Sequence, residues 1–272
     1  MNSRRSFLNT LAGLAALPAL SRTASAQSAA SSGMAGAASD RARQLIISYN
    51  EDYAPYSFSE SGRVEGILPE VLEHLLANVP DLKVSRVAYP WRRAQLVVQN
   101  EEADAICTFA SEERRRYADF HFTPITVLRP ALFYAETNPR RADIEKISSV
   151  EQLKKIMLID QKGNQWAEQT LAGYTDVQWV GDHDTIFRMV LSGRADAHVS
   201  LSPIVTRWRL KKLGITQGVV SRPAPYVAAE VPFHLGIRKT HPRAKTILAA
   251  IDRQLARRET QAFIEKVTAR FF

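Results

Sequence analysis

An arginine beside free backbone amides is one of the few ways that ordinary residues can hold a carboxylate. Residues 104–120, DAICTFASEERRRYADF, carry such a pairing. Residues 104–109 read as a short buried strand, and the segment after them reads as a capped helical turn. Ser111 is placed to accept from the amides of that turn, while Glu112 and Glu113 stand where a helix start favours negative charge. Arg114 then projects from the start of the turn, with Thr108 at the strand's end in the same set. A charge run in isolation is usually a solvated helix surface. Its place directly after a buried strand makes this one a candidate carboxylate trap.

Other residue types that could do chemistry are sparse. Cys107 is the single cysteine, so no internal disulfide is available, and inside an apolar strand it reads as a buried thiol rather than a nucleophile. The six histidines show no metal-ligand spacing: His183 and His198 are far apart in sequence, and neither has a neighbouring His or Cys. No metal and no cofactor are assigned. The formal charge is +8, but Lys and Arg are interleaved with acids from Arg63 to Arg270 and form no basic stripe. This pattern excludes nucleic acid as the partner and suits a small anionic ligand.

The elements that must position these residues alternate in type, which argues for an α/β architecture. Residues 45–49 and 82–87 read as strands around a helix at 68–79, which has Pro69 in its first turn and Val71, Leu72, Leu75, Leu76 and Val79 on one face. A helix at Trp91–Gln99 precedes the strand at 104–109. A long apolar extended run, 125–135, leads through a polar stretch at 137–145 to a second group. That group has a short helix capped by Ser148 and Ser149, strands at 156–160, Val177–Val180 and 196–201, and helices at 165–171, 185–191 and 203–213. A strand at 233–237 and helices at 242–255 and 259–270 follow. Two α/β groups of similar size imply two lobes with a ligand crevice between them.

Residues 1–26 contain no acid, carry Arg4 and Arg5 in SRRSFL, continue with an apolar run at 11–20 and end on Ala24, Ser25 and Ala26. This is the pattern of a secretory signal of the twin-arginine kind. The apolar run is too short to span a bilayer, and no cysteine follows the cleavage site to carry a lipid. Residues 27–43 form a low-complexity tail with nothing to bury. Loss of Arg4, Arg5 and Arg22 takes the formal charge from +8 to +5 and leaves a free periplasmic protein.

Four pieces, in order and at similar spacing, resemble the family 3 extracellular solute-binding proteins of ABC importers. They are residues 49–58 (YNEDYAPYSF), 66–73 (GILPEVLE), the stretch at 104–120, and 192–197 (SGRADA). The resemblance implies the type II periplasmic binding protein fold, two lobes joined by two hinge segments. Lobe 1 would span 44–127, lobe 2 128–231, and 232–272 would return to lobe 1. The crossings map near 123–129 and 228–233, and closure would be a hinge motion.

The resemblance also implies site residues. Tyr53, Tyr56 and Phe58 match aromatics that stack on ligand, Trp91 and Arg92 begin a cleft-lining helix, and Arg114 matches the arginine that grips a carboxylate. In QKGNQ at 161–165, Gly163 permits close backbone approach and Asn164 replaces the usual hydroxyl. Ordinary packing of the rings, of Trp91 beside Arg92, and of a capped turn at QKGNQ remain the alternative readings.

The chain departs from the family after SGRADA. Amino-acid-binding members carry an acid a few residues on, paired with the ligand's ammonium; here Leu201 stands between Ser200 and Ser202. An ammonium facing leucine would be an unpaired charge costing about 3 to 5 kcal/mol. Asp196 is no substitute, because its pattern reads as structural in the family. Phe109 is a lesser departure, standing where Gly or Thr is favoured. The expected function is a monomeric periplasmic receptor, not an enzyme, that captures a small carboxylate-bearing solute other than an amino acid for an inner-membrane ABC permease. Two alternatives stay open. One is a ligand-sensing subunit; the other is a dehydratase of prephenate-like acids, with Glu51, Asp52 and His198 as conceivable acid–base groups.

Overall fold

The computed structural model describes residues 41–271 apart from residue 229, so the expected export signal at 1–26 lies outside the described residues, as does most of the expected tail at 27–43. Strand β1 (Gln44–Asn50) buries Leu45, Ile47 and Tyr49 on one face, as its alternation dictates. A short antiparallel meander follows: β2 (Asp52–Tyr53), β3 (Ser57–Glu60) and β4 (Arg63–Glu65). Helix α1 (Ile67–Leu76) starts at Gly66, where φ is +123° and a Cβ would come within 2.7 Å of the Tyr56 carbonyl oxygen, so no other residue fits. Next come β5 (Lys83–Tyr89), α2 (Trp91–Gln99), β6 (Ala105–Thr108), α3 (Glu112–Arg115), β7 (Ala118–Phe120) and β8 (Thr126–Leu128).

The second lobe contains β9 (Ala131–Ala135), α4 (Arg141–Ile144), α5 (Val150–Leu153), β10 (Leu158–Gln161), α6 (Gln165–Thr170), β11 (Val177–Val180), α7 (His183–Leu191), β12 (His198–Ser200), α8 (Pro203–Lys212) and β13 (Val219–Pro223). Strand β14 (Val231–Arg238) with α9 (Ala244–Leu255) and α10 (Arg258–Ala269) returns to the first. The first sheet runs β5-β1-β6-β14-β7, parallel about β1 and antiparallel about β14, which also pairs β8. In the second lobe β10 pairs β11 in parallel, β9 lies between β12 and β13, and Leu158 bridges Ala197.

Pro130 divides the apolar run at 125–135, because proline lacks the amide that a ladder needs. Strand β8 stays in the first sheet and β9 begins the second, so the outward crossing is at 129–130. The return crossing lies at 224–230, and Leu128 still pairs with Val231 in the first sheet. A 2.9 Å ion pair between Arg129 and Glu230 ties one crossing to the other. Some local expectations are corrected. The helix expected to reach Val79 ends at Leu76 and continues only as turns. The polar stretch at 137–145 holds α4. The meander was not expected, its strands being only two to four residues long, nor were β7 and β13, short strands completed by β14 and β9 elsewhere in the chain.

His121, between β7 and β8, is buried, and its Nε2 accepts from the Leu235 amide at 2.9 Å. Burial, together with the neighbouring His234, pushes its pKa down to about 4 from an ordinary 6.5, against the pull of Asp252. The unfolded chain therefore takes up this proton first on acidification. The stabilisation is complete above pH 6.5 and declines as pH falls toward 4. Urea unfolding should show a loss on the order of 3 kcal/mol from this group between pH 7 and pH 4, and His121→Gln should flatten that part of the pH profile.

Candidate functional site

Helix α3 places Arg114 much as its capping residues dictate: Ser111 Oγ accepts from the Arg114 amide at 3.3 Å. Arg114 as a whole is 2% exposed. Its Nε donates to Gln95 Oε1 at 3.0 Å, one terminal nitrogen to the Phe109 carbonyl at 3.2 Å, and the other to Gln165 Oε1 at 3.3 Å. Three of its five N–H groups are thus used and two remain. Its carbon lies 4.2 Å from the centre of the Phe109 ring and 5.1 Å from that of Trp91. Phe109 therefore supplies both a carbonyl and a cation–π face to the arginine. Burial lowers the Arg114 pKa, partly offset by Tyr117 and Glu113.

This guanidinium borders a cavity of about 440 Å³ lined from both lobes. Of the residues expected at the site, Tyr53, Trp91, Arg92, Thr108, Arg114, Gly163, Asn164 and Leu201 line it. Tyr56 and Phe58 are outside the lining. Ser57 lines the cavity, and strand alternation turns its neighbour Phe58 to the opposite face, against Trp208 at 5.9 Å between ring centres. Tyr56 is buried in the first lobe's core, with its hydroxyl bonded to Ser202 and Thr126.

The QKGNQ turn is occupied differently from expectation. Gly163 has φ +91°, but its amide donates to Glu168 Oε1 at 2.8 Å. Asn164 caps α6 through the Ala167 amide and donates to Asp160 Oδ1 at 2.9 Å. Cys107 also lines the cavity, and burial pushes its thiol well up, out of nucleophilic range.

Sequence spacing missed several contributors, His183 among them. It lines the second lobe's side together with His198, which was expected only as an acid–base group of the dehydratase alternative. Burial, reinforced by Arg209 and His198, pushes His183 down to about 2, so it is neutral. His198 Nδ1 lies 3.1 Å from the Ile159 carbonyl oxygen and 3.4 Å from Asp160 Oδ2. Gln95 was legible in principle, one helical turn after Trp91 and on the same face. Gln165 was not, because its role depends on the opposite lobe: one oxygen accepts from both Arg114 and Gln95, the latter at 3.1 Å. Ion pairs also span the lobes, Arg92 to Glu168 at 3.1 Å and Arg209 to Asp52 at 2.8 Å.

The family model for bacterial extracellular solute-binding proteins, family 3, matches residues 45–272. The chain belongs to this family. Its members bind small solutes outside the cytoplasm and work with ABC permeases. No curated protein sequence matches the chain. Among solved structures, it is similar to an amino acid ABC transporter substrate-binding protein of Streptococcus pneumoniae bound to L-arginine (16% identity, 84% of this chain and 94% of that one, TM-score 0.63). It is also similar to a histidine kinase sensor domain with similarity to periplasmic binding proteins (20%, 86% and 97%, TM-score 0.65). A third is an ancestral amino-acid-binding protein described as a precursor of cyclohexadienyl dehydratase (22%, 83% and 95%, TM-score 0.64). At these identities the likeness shows the two-lobed fold.

In this solute-binding protein Arg209 is nearly buried and donates to both the carbonyl and the carboxylate of Asp52, whose side chain is exposed. Arg209→Met should lower ligand-free stability by about 1 to 3 kcal/mol in urea titration. Asp52→Ala should cost less than about 1 kcal/mol, because the exposed ion pair is weak and the carbonyl bond remains.

Proposed function

We propose that the protein is a periplasmic receptor that captures a small carboxylate-bearing solute, other than an amino acid, for an inner-membrane ABC permease. Arg114 carries the reading. It is a buried guanidinium at the cavity wall with two free N–H groups and, among the described residues, no carboxylate paired with it. A buried charge without a counter-ion is costly, and a ligand carboxylate offsets that cost. On the opposite lobe Leu201 lines the cavity. Its neighbours satisfy each other: Ser200 Oγ donates to the Ser202 carbonyl at 2.9 Å and accepts from Thr206 Oγ1 at 2.8 Å. The two acids nearest in role are engaged, Asp52 by Arg209 and Asp160 by Gln161 and Asn164. The signal-like segment at 1–26 supplies the route to the periplasm.

Arg114→Ala should weaken binding of a captured acid by about 2 to 5 kcal/mol while the fold survives. Leu201→Asp should shift preference from the acid toward its α-amino counterpart. Calorimetry on one such pair with wild type and both variants checks this. Tight amino-acid binding by the wild type would sink the reading and point to Glu51, the remaining acid in the lining, as the ammonium's partner.

Gln165 reaches Arg114 from the other lobe, so a carboxylate joining Arg114 pulls on both lobes at once. Saturating ligand should therefore reduce the radius of gyration in solution scattering, by rotation about 129–130 and 224–230. An unchanged radius would argue against a closing receptor.

A further inference from the structure

We propose that His198 reads a hydroxyl group on the solute, so that the ligand is a hydroxycarboxylic acid; this rests on the carboxylate reading of Arg114. His198 begins β12 and is almost fully buried at the cavity's second-lobe wall. Its Nδ1 is 3.1 Å from the Ile159 carbonyl oxygen, which can only accept, so Nδ1 must carry the proton. The carboxylate of Asp160, fully buried and 3.4 Å away, favours the same tautomer. In the neutral ring Nε2 is then a lone-pair acceptor, and among the described residues no hydrogen bond reaches it. A ligand that fills this part of the cavity strips that acceptor of water, so the group that faces it must donate.

That requirement discriminates between ligand groups. A keto oxygen or a second carboxylate offers only acceptors, and a methylene offers nothing. An ammonium donates, but it would bring a second positive charge into a wall where the nearby Arg209 already disfavours a charged His183. A hydroxyl donates without charge. Arg114 from the first lobe and His198 from the second thus select an acid that also carries an alcohol.

The test is calorimetry with two matched sets: succinate, malate, oxaloacetate and aspartate, and then 3-phenylpropionate, 3-phenyllactate, phenylpyruvate and phenylalanine. In whichever skeleton the cavity accepts, the hydroxy acid should bind roughly tenfold tighter than its deoxy and keto partners. His198→Asn keeps an N–H toward the Ile159 carbonyl and removes the outward lone pair. It should abolish the roughly tenfold preference, so that the hydroxy and deoxy acids bind alike. Wild-type ranking decides even where the variant fails to fold. Equal binding of hydroxy and deoxy acids, or preference for the keto acid, overturns the hydroxyl inference and leaves the carboxylate reading standing. Binding of none of the acids, or of the amino acids alone, overturns both.

Discussion

The buried ion pair between Asp104 and Arg238 fixes the frame on which the rest depends. Asp104 is fully buried; one carboxylate oxygen accepts from the Ile46 amide and the other from Arg238 Nε, both at 2.9 Å. Its carbonyl takes the Arg238 amide at 2.8 Å. Removing any one of these partners would leave a desolvated charge or amide unpaired, at a cost of several kcal/mol. Strands β1, β6 and β14 must therefore meet at one point, although Arg238 lies 134 residues along the chain from Asp104. The chain leaves for a second lobe and has to return. The same anchor sets the start of β6, and four strand residues later the chain is released at Phe109 into the turn that carries Arg114.

At the far end of that strand the electrostatics are arranged around one buried cation. Two rings and three hydrogen bonds hold the guanidinium, none of them from a charged group, so its position is fixed while no carboxylate is bonded to it and Glu113 acts on it only through space. Burial also keeps three titratable groups of the lining neutral: Tyr53 and Cys107 are pushed up and His183 down. The buried cation thus stands among neutral polar atoms, while Glu51, Asp52, Arg92 and Lys162 complete the lining.

Much of this was legible because it is local. Ser111, Glu112 and Glu113 define the α3 cap by residue type alone, and Arg114 follows from it; the strands and helices of both lobes follow from apolar periodicity, nearly to the residue for Trp91–Gln99 and Val177–Val180. The parts that were not legible are those fixed by distant partners. Strand β13, VVSRP, has little of its own to declare it and exists because β9 offers an open edge. Phe58 resembles a ligand-stacking ring in its setting, yet the register of β3 turns it away while showing Ser57 to the cavity. His183 and His198 carry no spacing signal, since two separate elements converge to bring them into one wall.

The division of the site between lobes explains how capture could be coupled to closure. A ligand shifts an equilibrium only by its differential affinity for the two states. Ion pairs such as Arg92 with Glu168, where Arg92 is largely exposed, hold the lobes together only weakly. The Gln165 oxygen does more, because it bonds two first-lobe donors at once and sits on the first residue of a second-lobe helix. A solute that touches Arg114 and the second-lobe wall at once is held fully only when the two are together. Its binding free energy then differs between separated and joined lobes, which is the condition for a small ligand to move them.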